Sequence, residues 1–128
     1  MIPVIDLQAQ DALDRIEEAY TSVGFAVFTN CLSDIDQEIM DLWFNKMKEF
    51  FELPLSVKKK YSYQSDTNLG YSVMGAEHVD PDAPSDMKES YNYNDTRMDE
   101  SLWPTEVKFK NSALASIKIA DNLTFFSF

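Results

Sequence analysis

The sequence predicts an α+β fold, rich in helix and carrying a few short strands. Three stretches predict it. Phe25-Ala26-Val27-Phe28 is a continuous apolar run behind Gly24 and reads as a strand. Ile35, Ile39, Leu42, Trp43, Met47, Phe50 and Phe51 recur at steps of three and four, which is a helix ending before Pro54. Lys88 to Tyr93 alternates, with Glu89, Tyr91 and Tyr93 on one face and Lys88, Ser90 and Asn92 on the other, a strand pattern with one aromatic face.

Taken in order, the chain opens on Ile2, Val4 and Ile5, a short strand that Pro3 places at a sheet edge or strand start. Leu13, Ile16, Tyr20 and Val23 mark one face of a helix, with Asp14, Arg15, Glu17 and Glu18 on the others. Gly24 is a natural residue to end that helix, because it tolerates the left-handed conformation found there. The run at 25–28 has apolar side chains on both faces, which suits a strand buried on both sides and completes a β-α-β opening. Ser33 caps the long helix, and Asp36 has the right sign for its positive end. Pro54 stops that helix and can open the next. Lys58, Lys59 and Lys60 then read as a solvated face whose charges complement a helix C-terminus.

Gln64 to Leu69 is polar and loop-like, ending at Gly70-Tyr71, and Met74 to Met87 reads as an exposed loop. Asn94 to Glu106 is a further loop, held by the apolar anchor Leu102-Trp103-Pro104. A helix is expected from Asn111 through Ala113, Leu114, Ile117 and Ala120. Leu123 to Phe128 carries three phenylalanines where a terminus is usually polar, so it reads as an element cut off before its packing partner.

At 128 residues one domain is expected, and hydrophobic content of 45% is enough for a packed core. A formal charge of −11 disfavours nucleic acid and anionic membrane surfaces, which demand clustered Lys and Arg. Cys31 is the lone cysteine, which excludes an intrachain disulfide and fits a reducing compartment. With no apolar leader and no run long enough to cross a bilayer, a cytoplasmic location is expected.

The strongest local signal for chemistry is His78-Val79-Asp80, because H-x-D is two-thirds of a facial triad for non-haem Fe(II). The third ligand is a second histidine, and the chain has one. His78 and Asp80 are therefore rejected as metal ligands. Asp80, Asp82 and Asp86 depart from calcium-loop spacing, since the central glycine is missing and the closing glutamate position falls on Tyr91. Cys31 has no basic neighbour in sequence to activate it, and Gly24, Gly70 and Gly75 form no phosphate loop. No complete catalytic constellation is expected within the chain.

Several pieces also occur together, in order: IPVIDL at 2–7, GFAVFTN at 24–30, FFELPLSVKKKY at 50–61, GYSVMGAE at 70–77, KESYNY at 88–93 and LWP at 102–104. Together they resemble the N-terminal region of the isopenicillin N synthase-like, 2-oxoglutarate/Fe(II)-dependent oxygenases, over nearly the whole chain. The family commonly has Asn-His-Gly after the second strand, whereas Cys31-Leu32 follows Asn30 here. The resemblance implies a lobe that braces a double-stranded β-helix, or jelly roll. In the family that β-helix carries His-x-Asp and a distal His for Fe(II), and an Arg-x-Ser for 2-oxoglutarate. The expectation is a single domain, 1–128, truncated before most of that β-helix, with no cofactor of its own.

The segment around Gly70-Tyr71 resembles the part of the family that reaches toward substrate, which implies Asn68, Tyr71 and Ser72 as pocket-lining positions. Isopenicillin N synthase itself has an arginine and a tyrosine at the positions matching Asn68 and Ser72, which argues against the same tripeptide substrate. The functional expectation is the structural, substrate-side lobe of an oxidoreductase, inactive alone, that meets a small-molecule substrate once the catalytic half is present. The alternative is a stand-alone, non-enzymatic interaction module that meets a partner through the apolar C-terminal face.

Overall fold

The computed structural model describes residues 1–73, 75, 82, 84 and 87–124. They gather into two compact units, Met1–Glu38 and the residues from Ile39 onward. The loop expected at 74–87 and the apolar ending at 125–128 lie largely or wholly outside the described residues.

The first unit is the expected β-α-β opening. Strand β1 (Val4–Asp6) pairs in parallel with β2 (Val27–Thr29), Ile5 facing Phe28, and helix α1 (Ala12–Ser22) connects them. Gly24 ends α1 at φ 82°, and its N–H reaches the Ala19 carbonyl at 2.9 Å. The buried stripe of α1 differs from the expected one. Ala12, Ile16 and Ala19 pack on Ile5, while Leu13 is 77% exposed and Tyr20 and Val23 are also exposed. Both stripes have helical spacing. The alanines win because a methyl side chain lets a helix close tightly on a strand pair.

Strand β2 corrects a second expectation. Ala26 and Phe28 turn toward Ile5, but Phe25 is 68% exposed and Val27 is also exposed. A sheet of two strands with one helix covers a single face, so the strand is not buried on both sides. Asn30 follows it at φ 53°, a left-handed position that asparagine tolerates better than most residues. Gln8 N–H and the Asn30 side chain hydrogen-bond to Asp6, holding its carboxyl below the usual range.

Helix α2 (Asp34–Phe51) starts where Ser33 predicts, since Ser33 Oγ accepts the Asp36 N–H at 3.1 Å. Its core face runs Met40, Trp43, Met47, Phe50 and Phe51, whereas Ile35 and Leu42 are exposed. Pro54 then precedes the short helix α3 (Leu55–Lys58), which continues as a tighter turn over Lys59–Tyr61. Strand β3 (Gly70–Ser72), which begins where the polar loop at 64–69 ends, pairs antiparallel with β4 (Ser90–Asn92).

The second unit is organised around aromatic rings. Phe50 is fully buried, and its ring meets those of Phe51, Tyr61, Tyr71, Tyr91 and Phe109 at centroid distances of 5.1–6.3 Å. Trp43 stands edge-on to Tyr93 and Phe109 at 5.0 and 4.6 Å. Such edge contacts each add about 0.5–1.5 kcal/mol beyond burial. Leu102, Trp103 and Pro104 are buried as expected. Helix α4 (Lys110–Thr124) buries Ser112, Ala113, Ser116 and Ile119, while Ala120 is exposed. Its stripe is thus shifted from the expected one, because Ser116 can turn inward once its hydroxyl meets the Ala113 carbonyl at 2.7 Å and Tyr93 Oη at 3.0 Å. No helix among the described residues is long and apolar enough to cross a membrane.

Candidate functional site

The β3–β4 pair sets Gly70 opposite Asn92, Tyr71 opposite Tyr91 and Ser72 opposite Ser90. Just before β3, residues 64–69 fold into a tight turn, with Gln64 N–H to the Leu69 carbonyl and Asn68 N–H to the Gln64 carbonyl, both at 2.8 Å. Asn68 sits at φ 62° within it, and its Oδ1 accepts the Tyr63 hydroxyl at 2.8 Å. Asn92 Nδ2 donates to the Asn68 carbonyl at 3.2 Å and so fastens the turn to β4.

Beyond β4 the chain turns again. Asn94 Oδ1 accepts the backbone N–H groups of Thr96 at 2.8 Å and Arg97 at 3.0 Å, and the Thr96 hydroxyl at 2.9 Å. This side-chain-to-backbone turn fixes the loop that carries Arg97. The two turns and β4 enclose an open cleft of about 390 Å³, lined by Thr67, Asn68, Leu69, Asn92, Asn94 and Arg97 together with Tyr91 and Tyr93. No carboxylate lines it among the described residues.

On the core side of the same strands lies a different cluster. Lys58 Nζ donates to Glu89 Oε2 at 2.7 Å and to the Phe51 carbonyl at 2.9 Å, and it stands 5.4 Å from the Tyr71 ring centroid. Tyr71 Oη donates to the same Glu89 oxygen at 2.5 Å. Burial pushes the Tyr71 phenol up, and the Glu89 hydrogen bond and negative charge push it further. Burial alone raises the Glu89 carboxyl, but hydrogen bonds from Lys58 and Tyr71 and the Lys58 charge outweigh it and hold it below the usual range. Lys58 is buried, which corrects the expectation of a solvated lysine run at that one position, while Lys59 and Lys60 are exposed. Its stem packs inward, and a carboxylate and a carbonyl replace the water that its ammonium gives up.

The structure therefore separates the three expected pocket positions. Asn68 lines the cleft, while Tyr71 is 2% exposed within the aromatic core and Ser72 is also buried. His78 and Asp80 lie outside the described residues. Sequence reasoning did not single out Asn92, Asn94 or Arg97. The alternation at 88–93 sets Asn92 opposite the aromatic face, and the available signal for Arg97 is a lone cation between Asp95 and Asp99-Glu100.

Residues 2–112 match the protein family described as non-haem dioxygenase in morphine synthesis, N-terminal. The chain belongs to this family. As a dioxygenase N-terminal region, it is also similar to a solved structure, full-length and from Neurospora crassa, in complex with alpha-KG and thymine. The TM-score is 0.74 at 25% identity, over 96% of this chain and 45% of that one. The dioxygenase N-terminal region thus spans less than half the length of that protein. Comparison with curated proteins finds no match.

The family implies iron. Among the described residues of this dioxygenase region, no three His, Cys, Asp or Glu side chains converge to hold a metal ion. The described side chains therefore do not fit an iron site.

Proposed function

We propose that this chain forms the substrate-side lobe of a non-haem Fe(II), 2-oxoglutarate-dependent oxygenase, an oxidoreductase. The groups that bind iron and 2-oxoglutarate belong to a catalytic half outside residues 1–128. The family match over residues 2–112 carries this reading. The Neurospora crassa structure supports it, because that protein was solved with alpha-KG and with a small organic molecule, thymine. Within the lobe, the cleft between Asn68 and Arg97 supplies the substrate-facing wall, while Tyr71 and Glu89 hold the strands behind it in place. A small molecule fits a cleft of about 390 Å³, and lining side chains rather than the fold decide which one.

Anaerobic calorimetric titration of the chain with Fe(II), and separately with 2-oxoglutarate, tests this division of labour. Neither titration is expected to show a stoichiometric micromolar site. A stoichiometric iron site would place the metal ligands within the chain and overturn the proposal.

A further inference from the structure

We infer that the cleft between Asn68 and Arg97 recognises a carboxylate on a small-molecule substrate, with Arg97 as the charged anchor and the Asn68 and Asn94 amides as flanking donors. The inference rests on the substrate-side role proposed above and adds the chemical class of the ligand.

Several donors around the cleft lack a protein partner among the described residues. Asn94 Oδ1 is consumed by the Thr96 and Arg97 backbone N–H groups and by the Thr96 hydroxyl. Backbone N–H groups can only donate, so the oxygen end of this amide is fixed and the nitrogen end is left over. Asn68 Oδ1 is likewise taken, by the Tyr63 hydroxyl, and the Asn68 carbonyl accepts from Asn92. Neither the Asn68 nor the Asn94 Nδ2 group has a hydrogen-bond partner among the described residues. The Arg97 guanidinium has no ion pair among them either, although Asp95, Asp99 and Glu100 are close in sequence. Glu100 instead pairs with Lys110, and Asp99 Oδ1 accepts the Ser101 N–H.

What the described lining leaves open is chiefly donors and one positive charge, the Asn68 and Asn94 Nδ2 groups and the Arg97 guanidinium. Beside them stands one amide acceptor, Asn92 Oδ1, with no carboxylate among the described lining residues. A ligand that brings its own donors finds mainly Asn92 Oδ1 and the Thr67 hydroxyl oxygen to bond there. A carboxylate brings acceptors only, and its planar pair of oxygens matches the guanidinium fork. The net charge of −11 repels anions at a distance, yet salt screens that field over about 8–10 Å, so local donors decide. The Asn94 turn holds the backbone of Arg97 before any ligand arrives, which lowers the ordering cost of binding.

The test is a side-chain amide and guanidinium NMR titration of the ¹⁵N-labelled chain with benzoate, benzamide and inorganic phosphate, for wild type, Arg97→Gln and Arg97→Lys. Benzoate is expected to shift the Asn68, Asn94 and Arg97 side-chain signals with a Kd on the order of 1 mM. Benzamide, of the same shape but uncharged, should bind about tenfold more weakly, and Arg97→Gln should weaken benzoate by about tenfold or more. Arg97→Lys keeps the charge without the fork and should fall between. Equal affinity for benzoate and benzamide, tighter binding of phosphate, no shift with any probe, or indifference to Arg97→Gln in a folded variant overturns the inference. If benzamide and benzoate perturb the cleft equally, carboxylate selectivity fails while the substrate-side reading stands. A micromolar Fe(II) site in the calorimetric titration removes that reading whether or not benzoate binds.

Discussion

Lys58 Nζ lies 2.7 Å from Glu89 Oε2, and this contact ties the end of helix α3 to the residue that leads into strand β4. Only 9% of the lysine side chain and 23% of the glutamate side chain are exposed, so removing either partner leaves a charge short of water. Glu89→Ala is expected to cost roughly 3 kcal/mol, the lower end for breaking a buried pair because Glu89 retains some solvent. The double variant Lys58→Met, Glu89→Leu strands no charge and should recover part of that loss. Recovery stays incomplete because the Tyr71 hydroxyl also loses its acceptor. Urea denaturation measures both, and a double variant no more stable than Glu89→Ala would show that the stranded charge is not the cause.

Acid should weaken this chain through two carboxylates. Glu89 is held below its ordinary value of 4.5, while hydrogen bonds from Tyr61 and Lys60 hold Glu106 down at about 2. Folded values depressed in this way contribute stability that is fully present above about pH 4.5 and lost as pH falls through them. Relief of repulsion in a chain of charge −11 works the other way. The difference between wild type and Glu106→Gln cancels that general effect. Thermal melts should show the wild-type advantage near pH 6 shrinking between pH 4.5 and 2. An advantage that stays constant across that range would rule out the Glu106 carboxylate as its source.

Phenylalanines of the same helix should differ sharply. Phe50 is fully buried among aromatic rings, and Phe50→Ala is expected to cost about 3–5 kcal/mol through lost burial and the cavity left behind. Phe44 is 58% exposed, so Phe44→Ala should stay within about 0.5 kcal/mol. Denaturation midpoints distinguish them, and comparable losses at the two positions would contradict the helix orientation.

These contrasts mark how far the sequence could be read. Period and breakers were legible: Ser33 and Pro54 bracket α2, Gly24 ends α1, and Trp43 and Phe50 fall on the buried face. Orientation within an apolar helix was less so. Leu13 and Ile35 satisfy the spacing as well as Ile16 and Met40 do, and only the width of the covering elements decides between them. Pairings across long separations left no local trace. Lys58 looked like one of three equivalent lysines until Glu89 lay beside it, and Tyr61 carried no sign of Glu106. For the cleft, Asn68 was reachable by resemblance, whereas Arg97 needed the Asn94 turn to bring it there.

Gly24, ahead of β2, and Gly70, the first residue of β3, should differ for a reason that backbone angle alone does not supply. Gly24 at φ 82° and Gly70 at φ 103° both occupy conformations that side chains rarely adopt. A Cβ added at Gly24 meets nothing within 4 Å, so Gly24→Ala is expected to cost only the conformational strain, about 1–2 kcal/mol. A Cβ at Gly70 falls 2.8 Å from the carbonyl oxygens of both Tyr61 and Ser62. Those are backbone atoms, held by the Tyr63 N–H to Tyr71 carbonyl bond at 2.8 Å, and they cannot swing aside as a flexible side chain could. Gly70→Ala must therefore separate β3 from the segment before it and disturb the turn that carries Asn68. Its cost should exceed that of Gly24→Ala by at least about 1–2 kcal/mol. Chemical denaturation gives the ranking, and hydrogen exchange at Tyr63 and Tyr71 should accelerate in Gly70→Ala but not in Gly24→Ala. Equal costs, with Tyr63 still protected in both variants, would mean that the close approach at Gly70 relaxes without consequence for the cleft.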